Sequence, residues 1–176
     1  QLTGGAPGVV VVGVDVLLGG LTVTATTSIT VQPNSIPDGS AIGPDGTFGA
    51  GAEVAGPPDP PFDVALLVDH NDPRATYSGG PDAHLMQRGV ARRLDSLLDL
   101  LAERGVAAPL DVAAAYRSAA GAPALASSGR SLTITTTGLP STDLGALAHR
   151  AGFTQVAVAS PVVMINHRSE ELIGVD

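Results

Sequence analysis

Residues 9–18 of the chain are almost wholly apolar and β-branched. After Gly19-Gly20, residues 21–31 alternate Leu, Val, Ala and Ile against threonine. Two β-prone runs joined by Gly-Gly predict an antiparallel hairpin. The second run has a wet threonine face. The first is apolar on both sides, which a half-exposed strand does not require. Either the rest of the chain or another copy must cover it. Val9, Val10, Val11, Val12, Val14, Val16 and Leu17 therefore form the candidate assembly surface.

The next stretch changes character. Seven of the chain's 14 prolines fall within residues 32–61, among Gly, Ser and Asp. Such a composition predicts a linker or extended strap rather than a packed element. The expected organisation is a hairpin segment at 1–31, the strap at 32–61 and a folded domain at 62–176.

Within that domain, residues 62–68 read as a strand, 69–73 as a polar turn and 77–81 as a Gly-containing loop. Leu85, Val90, Leu94, Leu97, Leu98 and Leu101 recur near a 3.6 period, which predicts a long helix over 82–104 between Pro81 and Gly105. Strands are expected at 110–116, 131–137, 155–159 and 162–166. A short helix capped by Ser141 or Thr142 runs to about 151, with Leu144, Leu147 and Ala148 inward. Strands and helices alternate without regular βαβ units. The predicted class is α+β, a mixed sheet with one long and one short helix.

Composition narrows the function. With 176 residues the chain can bury a real core. All nine cationic side chains are Arg against 17 acids, a net charge of −8. That balance excludes nucleic acid as a partner, since phosphate binding needs clustered cations. Arg88, Arg92 and Arg93 are followed by acids and read as a helix face. Without cysteine, thiolate catalysis and cysteine-based zinc sites are not available. No apolar run is long enough for a membrane span. A start at Gln1 suggests a processed or trimmed product.

Four segments between residues 63 and 168 carry a resemblance. They are Gly80-Pro81-Asp82 with Leu85-Met86-Gln87-Arg88, Tyr116-Arg117-Ser118 after a strand, Leu125 followed after three residues by Gly129-Arg130-Ser131-Leu132-Thr133-Ile134-Thr135, and Leu147-Ala148-His149-Arg150-Ala151-Gly152-Phe153. In order and spacing they resemble the hedgehog signalling domain and the zinc D-Ala-D-Ala carboxypeptidases. The resemblance implies a hedgehog/DD-peptidase-like sheet, with zinc held by a His, an Asp and a later His beside a general-base Glu. The corresponding positions here are Ala126, Thr133, Ile165 and Ala159. A catalytic zinc needs three protein ligands and an open site, so the resemblance implies a metal-less, degenerate member. His167 lies two residues from the last ligand position and would stand alone. The family's calcium site needs clustered acids. Asp82 persists, whereas the second acidic cluster is replaced by residues 116–121. Arg117 matches a substrate-binding arginine of the peptidases, and Arg117 with Arg130 could fork onto a carboxylate in the vestigial cleft. The plainer reading is that Arg130 pins its own loop.

Other polar groups have ordinary readings. His70 with Asp69 and Asp72 fits a solvated turn with local Asx bonds better than a metal or acid–base site. His84 and Arg88 form an exposed pair one helical turn apart, and His149 belongs at the surface. Ser127, His149 and Asp143 could be drawn as a triad, but no nucleophile elbow accompanies them.

The expected protein is thus a non-catalytic extracellular or cell-surface structural protein without cofactor. It self-associates through its N-terminal strands, by strand addition into a head-to-tail filament, or meets another extracellular protein. The alternatives are a binding module for a peptide, cell-wall fragment or receptor at the vestigial cleft, and a zinc peptidase.

Overall fold

The computed structural model describes residues 8–43, 48–50, 64–114 and 129–167. It divides into two compact units, residues 1–33 and 34–176. The first holds the predicted hairpin: β1 (Gly8–Leu18) and β2 (Leu21–Val31) pair antiparallel in unbroken register from Gly8↔Val31 to Leu18↔Leu21. Gly19 and Gly20 both take positive φ, which is why this two-residue turn uses glycine twice.

The second unit is α+β. Its seven-stranded mixed sheet runs β4-β3-β10-β11-β9-β8-β6. These strands are β3 (Ser40–Ile42), β4 (Phe48–Ala50), β6 (Ala75–Tyr77), β8 (Leu110–Ala114), β9 (Ser131–Thr135), β10 (Gln155–Ala159) and β11 (Val162–Asn166). Only the β6–β8 pair is parallel. A separate two-stranded pair joins β5 (Leu67–Asp69) to β7 (Leu85–Gln87).

Among the described residues two helices complete the unit, α1 (Arg88–Glu103) and α2 (Ser141–Arg150). The inward face of α1 carries Val90, Leu94, Leu97, Leu98 and Leu101, matching the predicted period; α2 buries Leu144, Leu147 and Ala148. They share one core with Leu132, Ile134, Val156, Val158, Val163 and Ile165 of the sheet. Each fully buried Leu or Ile contributes about 1.5–3 kcal/mol. Both helices end as a glycine in positive φ permits. Gly105 N–H reaches Ala102 O and Val106 N–H reaches Leu101 O; Gly152 and Phe153 repeat this on His149 and Ala148.

Four expectations change. The strap is not a linker throughout: Ile36 is fully buried, β3 adds to β10, and Ser160 N–H donates to Asp38 Oδ1 at 2.7 Å. Residues 64–66 form a 3₁₀ turn, and among the described residues of the strand expected over 62–68 the extended part is Leu67–Asp69; residues 62 and 63 lie outside those described. The long helix starts at Arg88 rather than near 82, because residues 85–87 are extended against β5 and Gln87 N–H donates to Gly129 O. The cap of α2 is Pro140 and makes no side-chain bond; the Ser141 hydroxyl goes to Ser160 instead.

Candidate functional site

The cleft positions stand on three adjacent strands. Met164 lies opposite Thr133 and Ala157 opposite Met164, so Thr133, Ala157 and Ala159 share one face of the sheet. Ile165, opposite Leu132 and Val156, is on the other face and wholly buried in the core. Thr133 and Ile165 therefore do not converge on one point. A residue meeting Thr133 across the β9–β11 ladder would be Met164. Arg117 and Ala126 lie outside the described residues, as does Ser127. Arg130 is half-buried and its Nε donates to Gln87 Oε1 at 3.3 Å, in keeping with a loop-pinning role. His167 is buried and its N–H donates to Arg130 O.

The face that holds Thr133 is polar at both ends. Asn166 Nδ2 donates to Gln155 Oε1 at 3.2 Å, both residues being buried. At the other end the Asp111 carboxylate accepts from Thr76 Oγ1 at 2.9 Å and Ser78 Oγ at 2.7 Å. These bonds tie β6 to β8 and leave no carboxylate beside Thr133 among the described residues. No group of three metal-ligating side chains occurs among the described residues.

His70 is a titratable group whose surroundings the sequence conceals. It is 7 % exposed, not solvated. Its Nε2 lies 2.9 Å from Asp95 Oδ1 on α1, and its Nδ1 contacts the Tyr77 hydroxyl at the end of β6. With Asp95 ionised, Nε2–H is the donor and Nδ1 accepts from Tyr77. The rings of His70 and Tyr77 meet edge-on at 6.1 Å, and burial pushes the Tyr77 phenol up from its ordinary pKa. The expected Asx bonds are present beside it: Asn71 Nδ2 donates to Asp69 Oδ1 and Arg74 N–H to Asp72 Oδ1.

Arg74 continues the cluster. Its Nε and Nη2 fork onto Asp72 while Nη1 donates to Asp99 Oδ1 at 2.7 Å. The fork holds the Asp72 carboxyl down at about 2. The same guanidinium borders a cleft of about 360 Å³ with Leu98, Leu101, Val106, Pro109 and Leu110. Its nitrogens donate to the two carboxylates. His149 is half-buried rather than at the surface, and burial lowers its pKa. Asp143 bonds to the Thr142 hydroxyl.

The hairpin residues divide by face. Val12, Val14 and Val16 lie opposite Thr27, Ala25 and Val23, with Leu21 continuing that side past the turn. Leu17 belongs to the opposite side with Gly13 and Asp15, against Thr22, Thr24 and Thr26. There Thr24 Oγ1 donates to Asp15 Oδ1 at 2.6 Å. The anticipated surface is therefore two surfaces, of which the Val14 side alone is free of charge. Val14 is 56 %, Leu21 73 % and Val23 53 % exposed. The side chains of Val9, Val10 and Val11 lie outside those described.

Compared with known proteins, the sequence matches no family profile and no curated protein. No helix among the described residues is long and apolar enough to cross a membrane.

Proposed function

We propose that the protein is a non-catalytic structural module that self-associates, its N-terminal hairpin packing the Val14 side against the same side of a second copy. The observation that carries this reading is the uncharged, exposed face formed by Val14, Val16, Leu21 and Val23 on a ribbon whose other face holds Asp15. A charge on one side only marks which side is meant to stay wet.

A second copy fits better than strand addition to the seven-stranded sheet. The described edge strands of that sheet, β4 and β6, are three residues long, whereas β1 and β2 are 11. Another ribbon is the matching surface. Two such faces would stack about 10 Å apart, as sheets do. At about 3.4 Å per residue the ribbon is roughly 37 Å long and about 10 Å wide, a footprint of roughly 370 Å² per copy. That is below the roughly 800 Å² per partner of tight complexes, so this contact by itself is weak and concentration-dependent.

The degenerate hedgehog/DD-peptidase-like scaffold is part of the same reading. Its support is the set of sequence segments alone; the placement of Thr133 and Ile165 on opposite faces of the sheet adds nothing to it. The test of self-association is sedimentation velocity on the full chain across a concentration series. The triple variant Val14→Thr, Val16→Thr, Val23→Thr keeps β propensity and removes apolar area. Loss of the larger species in that variant is the expected result. An unchanged distribution of species would overturn the hairpin reading.

A further inference from the structure

The outer face of α1 has a charge order that its own helix does not favour. Arg88 and Arg92 come first, then Asp95 just before the midpoint and Asp99 and Glu103 in the C-terminal half, with no acid in the first turn and no base in the last. The helix dipole prefers the reverse, acids first and cations last. At about 100° per residue these five positions and Ser96 fall within roughly a 100° arc, and all six are exposed.

Their spacing is symmetric. Arg88 and Glu103 are the first and last residues of the helix, and Arg92 and Asp99 each stand four residues in from an end. A two-fold axis through the helix midpoint would set Arg88 opposite Glu103 of a second copy and Arg92 opposite Asp99. Asp95 would then meet Ser96. Every cation meets an acid, four pairs per dimer, and the two helix dipoles run antiparallel.

Part of the acid set has intramolecular work: Asp95 takes His70, and Asp99 Oδ1 takes Arg74. Arg88, Arg92 and Glu103 have no ion-pair partner among the described residues. Asp99 keeps a 66 % exposed side chain and a second oxygen.

We infer that α1 docks antiparallel on the α1 of a second copy, through Arg88–Glu103 and Arg92–Asp99 pairs. A wholly acidic or wholly basic partner would clash with half of this stripe, whereas a second copy complements all of it. The contact uses a face distinct from the hairpin and does not depend on it. If both hold, each chain carries two isologous contacts, and subunits string into an open chain instead of closing as a pair.

Salt gives opposite signs for the competing effects. A chain of net charge −8 repels its copies, and salt relieves that repulsion. Paired stripes attract, and salt weakens them, the screening length falling from about 30 Å at about 0.01 M to about 10 Å at about 0.1 M.

The experiment is sedimentation velocity of the full chain in the hairpin-substituted background, so that only this contact is read. Association should be present at low salt and fall as sodium chloride is raised. Arg88→Glu with Arg92→Glu makes all four pairing positions acidic, and Asp99→Arg with Glu103→Arg makes all four basic. Each variant alone should associate less tightly by on the order of tenfold or more, and an equimolar mixture should restore the wild-type level. Circular dichroism melts report folding separately. If the Asp99 change unfolds the domain by losing Arg74, the single exchange of Arg88→Glu against Glu103→Arg serves in its place. Association that strengthens with salt, or charge-reversed variants that associate as wild type, or a mixture that stays monomeric, would each overturn the inference. None of these outcomes bears on the hairpin contact, which is read in the unsubstituted chain.

Discussion

His70 Nε2 lies 2.9 Å from Asp95 Oδ1, and this one bond joins the turn after β5 to the middle of α1. The other ring nitrogen holds Tyr77, so a single buried imidazole fastens three segments. Removing it strands the buried end of that chain. His70→Ala is expected to destabilise the fold by about 2–3 kcal/mol, through lost packing and the unpaired Tyr77 hydroxyl. Asp95→Ala should cost about 1 kcal/mol or less, because water replaces a carboxylate that is 53 % exposed. Urea denaturation of both single variants and the double variant checks this. Equal effects of the two single changes would show that the bond, not the burial of the ring, dominates.

Asp72 gives the fold an acid dependence. Its folded-state carboxyl is held at about 2, chiefly by the hydrogen bonds of Arg74, against 3.8 for the free group. A lowered carboxylate pKa favours the folded state above the free value and loses that advantage as pH falls through the folded value. Asp72→Asn should therefore lower Tm at pH 5, and the gap from wild type should close between about pH 4 and about 2. Thermal melts in that range read it directly. A gap independent of pH would mean that the contact is purely steric.

Gly145 sits inside α2, where alanine is normally better by about 1 kcal/mol. A Cβ there would stand 2.7 Å from Val158 Cγ2 on β10, with Ile36 and Val156 at 3.4 Å. Val158 is β-branched and has little rotamer freedom to move aside. Gly145→Ala is expected to destabilise by about 1–2 kcal/mol despite the gain in helix propensity, since overpacking costs about 1–3. Stabilisation in chemical denaturation would show that α2 is free to lift from the sheet.

The register of β9 and β11 makes a prediction about rebuilding a metal site. Thr133→Asp with Ile165→His puts the two donors on opposite faces, and the imidazole in the core. That variant should hold no stoichiometric zinc by elemental analysis and should lose about 2–5 kcal/mol of stability. Thr133→Asp with Met164→His puts both donors on one face and should be the better tolerated pair. Stoichiometric zinc in the first variant would mean that β11 is shifted by one residue.

The long periodic elements were legible and the short ones were not. A β-branched run and a largely alternating one on either side of Gly19-Gly20, and six apolar positions at helical spacing, outweigh any competing pattern. By contrast β3, β6 and β7 are three residues each, too short to carry a period, and β3 is hidden in Pro- and Gly-rich sequence. The burial of His70 was unreadable for a different reason. Local sequence shows a polar turn, and the carboxylate that takes the ring arrives from 25 residues away. At the cleft, the residue types were legible but not their faces, because a one-residue difference in strand register inverts which side a side chain occupies. The hairpin shows the same gain from register. A run of valines looks uniformly apolar until pairing assigns Asp15 and Leu17 to one side and Val14 and Val16 to the other.

The seating of β3 against β10 also sets an order of events during synthesis. Ala41 pairs with Ala157, and Asp38 takes the N–H of Ser160, 122 positions later. A ribosome emitting this chain releases Ile36 and its neighbours long before their neighbours in the core exist. The nascent unit can pair that segment with β4 at once but must hold it without its β10 partner until β10 emerges, and the sheet closes only when its last strands arrive. Such long-range closure makes for slow folding and gives other chains time to capture the waiting segment.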